Sequence, residues 1–111
     1  MIDALIQGSL YGGPQKRASK AGRIFVTAKL RTSIANGESL FVNVIGFSDT
    51  VITALLALAE GDSVAIAGEL NVGIYTDKNG NARPSLNLTA HAVLTEYDVQ
   101  RKRRAVAEFS A

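Results

Sequence analysis

Apolar and polar residues alternate through most of this chain. A period of two marks strands, because successive strand side chains face opposite ways. Residues 2–11, IDALIQGSLY, alternate loosely and predict a first strand, which Gly12, Gly13 and Pro14 end. A polar, basic loop is expected from there to Gly22. Residues 23–33, RIFVTAKLRTS, alternate well and predict a second strand. Asn36-Gly37 tolerates the positive φ of a tight hairpin turn and leads into a third strand over 39–47. The period then changes. Val51, Leu55, Leu58 and Ala59 make a helical stripe, with Asp49 or Thr50 as its cap and Gly61 suited to the left-handed position after its end. A fourth strand over 63–75 and a fifth over 83–96 flank the turn DKNGN at 77–81. Residues 98–111 are charged and read as a tail or short helix.

Strand, helix, strand and hairpin inside an otherwise all-β chain is the order of a five-stranded Greek-key barrel, the OB-fold, with one short helix between strands three and four. Residues 1–97 then form one domain, and 98–111 a basic C-terminal tail. Parity sorts the faces. Val64, Ile66, Gly68, Leu70 and Val72 share the core side of the fourth strand, with Leu40, Val42 and Val44 on the third and Ile24, Val26, Ala28 and Leu30 on the second. The opposite face carries Phe41, Asn43, Ile45 and Phe47 on the third strand, and Phe25, Thr27, Lys29 and Arg31 on the second. Gly68 is expected to bend its strand so that the barrel can close.

Composition narrows the chemistry. A chain of 111 residues with 47% hydrophobic and 20% charged residues folds as a single globular domain. It has no cysteine, which excludes disulfides and thiolate metal sites. No apolar run approaches the roughly 18–20 residues that span a bilayer, so a soluble, cytoplasmic protein without a membrane partner is expected. The net charge of +2 is only mildly basic, and placement says more than total. Lys16, Arg17, Lys20 and Arg23 lie between the first two strands, and Arg101 to Arg104 form a run near the end. There is no P-loop, no Ser/His/Asp set and no paired-carboxylate motif. His91, the lone histidine, reads as a structural or exposed side chain. Binding rather than catalysis is expected, with neither metal nor cofactor.

The outward face suits a single-stranded nucleic acid. A site that accepts any sequence needs flat rings under the bases and cations along the backbone, and each stacked base is worth roughly 1–3 kcal/mol. Phe25, Phe41, Phe47 and Tyr75 are the candidate rings. Lys29, Arg31, Lys78 and Arg83 are the candidate cations, and Asn43 and Asn71 the candidate donors to phosphates or base edges. Tyr11 and Tyr97, at strand ends, read as packing or interface residues.

Three segments carry a family likeness over roughly residues 2–96. They are the opening IDALIQGSL with its Gly/Pro turn; Phe41 and Phe47, six residues apart, before a short helix ending at Gly61; and GDSVAIAGELNVGIYTDKNGNAR. Together they resemble the bacterial and phage single-stranded DNA-binding proteins. The resemblance implies an OB barrel, a homodimer or homotetramer, and sequence-tolerant binding of single-stranded DNA in replication, recombination or repair. It places the protein in the bacterial cytoplasm or nucleoid or a phage-infected cell. Phe41 and Tyr75 match family tryptophans that stack on bases, and Phe47 matches a family phenylalanine that contacts DNA. The chain departs from the pattern in having no tryptophan, and in placing Asn71 and Gly73 where arginines often stand. It ends RKRRAVAEFSA, without the family's linker and acidic tip, so a tail-less variant is expected. Tail-less relatives such as primosomal replication protein B offer the alternative: an accessory protein that bridges replication or recombination enzymes and binds DNA weakly.

Overall fold

A computed structural model describes residues 2–95. Tyr97, the tail at 98–111 and Arg101 to Arg104 lie outside the described residues. In chain order the elements are β1 (Ile2–Leu10), β2 (Gln15–Ala18), β3 (Ile24–Ser33), β4 (Ser39–Gly46), α1 (Asp49–Leu56), β5 (Ser63–Thr76) and β6 (Ala82–Thr95). β1 pairs antiparallel with β5, and β5 with β6. β6 runs parallel to β4, β4 pairs antiparallel with β3, and β3 returns to β1 through Ser9–Arg31 and Leu10–Leu30. Five strands thus close into the OB barrel read from the element order.

β2 is an addition. Residues expected as loop pair antiparallel with Ile24–Thr27, along the edge of β3 that β1 leaves free. All four of its side chains are exposed and three are polar, so the strand shows no alternation and exists by backbone pairing alone.

The barrel is filled by Val26, Leu30, Val42, Val44, Val64, Ile66, Leu88 and Ala90, with Val51 and Leu55 from α1 closing one end. Each fully buried aliphatic side chain contributes about 1.5–3 kcal/mol. Two glycines permit this packing. A Cβ on Gly46 would lie 2.5 Å from Val51 Cγ1 and 3.0 Å from Leu55 Cδ1, so the helix could not seat. A Cβ on Gly68 would overlap the Thr89 carbonyl of β6. Beside Gly68 the ladder skips His91, an exposed extra residue that shifts the inward parity of β6 from Leu88 and Ala90 to Val93.

Several expectations change. The cap of α1 is Ser48, whose Oγ accepts from the Val51 N–H at 3.3 Å; Asp49 and Thr50 already lie within the helix. The helix ends at Leu56 with Ala57 as its C-cap, so Ala59 is exposed and Gly61 belongs to the next loop. There the Gly61 N–H donates to the Leu10 carbonyl and the Leu10 N–H to the Asp62 carbonyl, tying that loop to the end of β1. Ala65, expected outward, is buried between Gln7 and Leu94 in the register, because a methyl is short enough to be covered by both. Ile24 and Val72, expected in the core, are 45% and 58% exposed. Both lie where their strands run past the ring.

β5 and β6 continue beyond the barrel as a two-stranded arm. β1 stops pairing at Leu70 and β4 at Leu86, while β5 and β6 stay paired out to Thr76 and Ala82. The turn is tight: Asp77 N–H donates to the Asn81 carbonyl, Gly80 N–H to the Asp77 carbonyl, and Gly80 has φ +81°. The turns at 19–23 and 34–38 repeat this hydrogen-bond pattern with Gly22 and Gly37, a three-residue hairpin closed by a left-handed glycine.

Candidate nucleic-acid interface

Strands β3, β4 and β6 present one continuous outward face, and cross-strand register fixes its rows. Arg31 lies opposite Phe41. Lys29 lies opposite Asn43, Asn43 beside Asn87, and Asn87 opposite Asn71. Thr27 lies opposite Ile45, and Ile45 beside Thr89. Two concavities of about 640 and 750 Å³ cover this face and share Lys29 and Asn43, so they form one groove. Gly12 and Gly13 edge the first, while Tyr75 and Arg83 edge the second.

The aromatic residues of this face fall in two places, one of them within the groove. At one end Phe41, 43% exposed, meets Tyr11 edge to face with centroids 5.1 Å apart. Lys29 Nζ lies 5.8 Å from the Phe41 centroid, so one position offers a ring and a cation together. Beyond the groove on the same face, Phe47, 47% exposed, and half-buried Phe25 are 6.0 Å apart and tilted by 39°, and Phe47 lines a neighbouring cleft. Phe47 stands six positions after Phe41, just past the end of β4, about 20 Å of extended chain. The predicted rings therefore form two stations rather than one surface.

The predicted polar residues divide. Lys29 and Asn43 sit at the centre of the groove, and Asn71 is on the same row. Arg31 is exposed beside Phe41, with its Nε donating to Ser39 Oγ at 3.1 Å. Arg83 edges the groove opposite Tyr75, but its Nε also donates to Asp77 Oδ2 at 3.1 Å in an ion pair. The Asp77 carboxylate is held below the usual aspartate range, first by the Asn81 backbone N–H and then by the Arg83 guanidinium. Arg83 is raised in turn by its bond to Asp77. Part of the Arg83 charge is thus spent on the turn. Lys78, at the tip of that turn, lines none of the concavities described.

Three groove residues fell outside the candidate set. Tyr11, read as a packing or interface residue, is 53% exposed and meets Phe41 edge to face. Its signal was parity: Leu10 is buried, so Tyr11 must face out. Asn87 joins the central row, and its position opposite Asn71 needed the β5–β6 register. Arg17, read as solvated loop, lies in β2 opposite Phe25 with its Nε donating to Thr27 Oγ1 at 3.1 Å. Asp49, at the start of α1, shares a separate cleft with Lys16, Arg23 and Phe47. Among the described residues no three His, Cys, Asp or Glu side chains group as metal ligands, and no helix is long and apolar enough to cross a membrane.

Comparison with known proteins gives a consistent picture. Residues 1–96 match the single-strand binding protein family. No curated protein matches the chain in sequence. Among solved structures, a mitochondrial single-stranded DNA-binding protein from S. cerevisiae superposes with a TM-score of 0.67 at 14% identity, covering 86% of this chain and 94% of that one. The single-strand binding domain of a Synechococcus protein gives 0.65 at 18% identity, covering 85% and 94%. A small single-stranded DNA-binding protein from Streptomyces coelicolor gives 0.60 at 23% identity, covering 86% and 94%. At such identities these neighbours speak for the fold.

Proposed function

The chain belongs to the single-strand binding protein family and binds single-stranded DNA, and we propose that it does so along the β3–β4–β6 groove, by stacking bases at two aromatic stations and neutralising phosphates between and beside them. The observation that carries this reading is the exposure of Phe41, Tyr11 and Tyr75 along one groove whose centre holds Lys29, with Phe47 exposed further along the same face. Phe41 with Tyr11 forms one station and Phe47 with Phe25 the other. Tyr75 adds a ring at the arm, and Arg31, Arg83 and Lys78 add charge at its margin. The protein acts by covering strands, without chemistry at the DNA, in replication, recombination or repair, in the bacterial cytoplasm or nucleoid or in a phage-infected cell.

Phe41→Ala should weaken oligo-dT binding by about 1–3 kcal/mol while leaving the melting temperature near that of the parent. Fluorescence titration measures the first and thermal denaturation the second. Unchanged affinity in both Phe41→Ala and Tyr75→Ala would place the site elsewhere. The logarithm of affinity should fall with the logarithm of salt, with a slope of about −0.7 per neutralised phosphate.

A second copy of this chain is the partner we propose for β1. Among the described residues its outer edge pairs with β3 at Ser9 and Leu10 alone, leaving the backbone edge of residues 2–6 without a strand partner beside exposed Ile2 and Leu5. Antiparallel pairing of two such edges closes a symmetric dimer. Sedimentation should give a mass of at least two chains; a monomer at high micromolar concentration rejects the contact. The accessory reading, a bridge between replication enzymes with weak DNA binding, is separated by a gel shift of oligo-dT at physiological salt.

A further inference from the structure

We propose that the free edge of β2, with the basic cleft beside it, is a docking site for an extended acidic segment of a partner protein, which adds to the sheet as a further strand. The site lies beside the DNA groove, and its role goes beyond binding single strands.

β2 is the last strand of the sheet, and among the described residues no strand pairs with its outer side. The turn that follows it fixes which groups that side presents. Ser19 N–H donates to the Arg23 carbonyl, and hydrogen-bonded pairs recur at every second residue of an antiparallel ladder. Arg17 and Gln15 therefore bond to Phe25 and Thr27, while the N–H and C=O groups of Lys16 and Ala18 point away from β3. Strand addition uses such a row: the backbone supplies affinity, and side chains on the two faces supply choice.

Parity sends the side chains of β2 to two places. Gln15 and Arg17 line the groove. Lys16 faces the other way, into a cleft of about 630 Å³ that it shares with Arg23, Ile24 and Ile52. Ile24, 45% exposed, and half-buried Ile52 give the cleft an apolar floor. Lys16 and Arg23 are exposed, and neither has an ion-pair partner among the described residues. Phe47 stands at the boundary between this cleft and the DNA face.

Charge and backbone together name the occupant. From Ala4 to Gly37 the chain carries six cations and no acidic residue. Lys16 and Arg23 also outnumber Asp49, the one acid that lines the cleft. Two β2 edges from two copies would set Lys16 and Arg17 against like charges, a device that keeps exposed edges from pairing with themselves. A nucleic acid has no alternating N–H and C=O groups to meet the edge. An acidic strand satisfies both features. A carboxylate opposite Lys16 makes a cross-strand pair of opposite charge. Two residues on, an apolar side chain opposite Ala18 shares that face and covers Ile24, the cross-strand neighbour of Ala18.

The probe is a labelled peptide, Thr-Asp-Thr-Val-Thr-Asp-Thr-Val, which alternates aspartate and valine along one face of a strand. The same peptide with lysine for aspartate is the control. Fluorescence anisotropy with the full chain should show the lysine peptide at least about tenfold weaker, and Lys16→Glu with Arg23→Glu should weaken the acidic peptide to a similar degree. Ala18→Pro removes an outward N–H and no bond to β3, so it should weaken the peptide about tenfold. Oligo-dT affinity of that variant should stay within about twofold of the parent, and saturating oligo-dT should alter peptide affinity by no more than about twofold, as for independent sites. Hydrogen exchange on the parent needs no variant: bound peptide should slow the Lys16 and Ala18 amides and leave that of Arg17, already bonded to Phe25, as it was. A peptide that does not bind, while oligo-dT does, overturns the docking site and leaves the groove standing. Sensitivity to charge without slowing of the Lys16 and Ala18 amides overturns it too, since attraction alone forms no strand. Displacement by oligo-dT overturns it by making the cleft part of the nucleic-acid path.

Discussion

Between Val64 and Gly68 the inward side of β5 lies under 2% exposure at Val64 and Ile66, while at Val72 and Ile74 the same side of the same strand is 58% and 80% exposed. The alternation of apolar residues is continuous across the two regions. What differs is the neighbourhood. The first half has β1 on one side, β6 on the other and α1 across the barrel end. The second half has β6 alone over most of its length. Alternation decides which way a side chain points; the number of strands alongside decides whether it is buried. The protein uses this to fold with one half of β5 and to carry Tyr75 and Asn71 out to the groove margin with the other.

Core truncation tests the contrast most strongly. Ile66→Ala should lower unfolding stability by about 2–5 kcal/mol, because the barrel cannot collapse around the missing atoms. Val72→Ala should stay within about 0.5 kcal/mol. Urea denaturation of both variants makes the comparison, and similar losses would mean that the arm is packed against something in solution.

The two glycines of β5 give a smaller contrast of the same kind. Gly68→Ala forces a methyl into the Thr89 backbone carbonyl, which cannot rotate away, and should cost about 1–3 kcal/mol. Gly73→Ala meets nothing nearer than Ser85 Cβ at 3.9 Å and has no positive φ to lose, so it should be neutral or stabilising by up to about 1 kcal/mol. Thermal melts rank the pair. A costly Gly73→Ala would show the arm to be as crowded as the barrel.

How far the chain could be read in advance follows the same division. The barrel was legible, because Val42, Val44, Val64 and Ile66 alternate strictly and sit in strands flanked on both sides. Phe41, Asn43 and Phe47 were placed on the outward face by the same parity. Val72 and Ile24 were misjudged because alternation does not register where the neighbouring strand stops. β2 was missed because a polar edge strand has no apolar face to reveal it. The exposure of Tyr11 followed from parity beside Leu10, whereas the Asn43–Asn87 pairing depends on a parallel contact between strands about 40 residues apart in sequence, which no local pattern encodes. Arg83 was read as a free cation because its partner, Asp77, looked like an ordinary turn residue.

That ion pair supplies the smallest expected effect, and it is confined to the arm. A two-stranded hairpin is only marginally stable on its own. Here the Asp77 carboxylate accepts from the backbone N–H groups of Asn79 and Asn81, both at 2.9 Å, and from Arg83. All three bonds are stronger to the ionised form, so the folded carboxyl titrates below the usual aspartate range. A group depressed in this way stabilises the folded turn fully above its unfolded pKa, and the contribution is lost as pH falls through the lower, folded value. The arm should therefore hold its turn through the range in which a free aspartate protonates and loosen only in stronger acid. An NMR titration should show the Asp77 carboxyl and the Asn79 and Asn81 amides shifting together, with barrel residues such as Ile66 unaffected over the same range. Asp77→Asn should abolish that shared transition and speed amide exchange at the turn, while leaving the melting temperature of the barrel unchanged. Arg83, released from its partner in that variant, becomes fully available at the groove margin, so oligo-dT affinity should hold or rise slightly even as the arm loosens. A fall in affinity would mean instead that the order of the arm matters more to binding than the charge it carries.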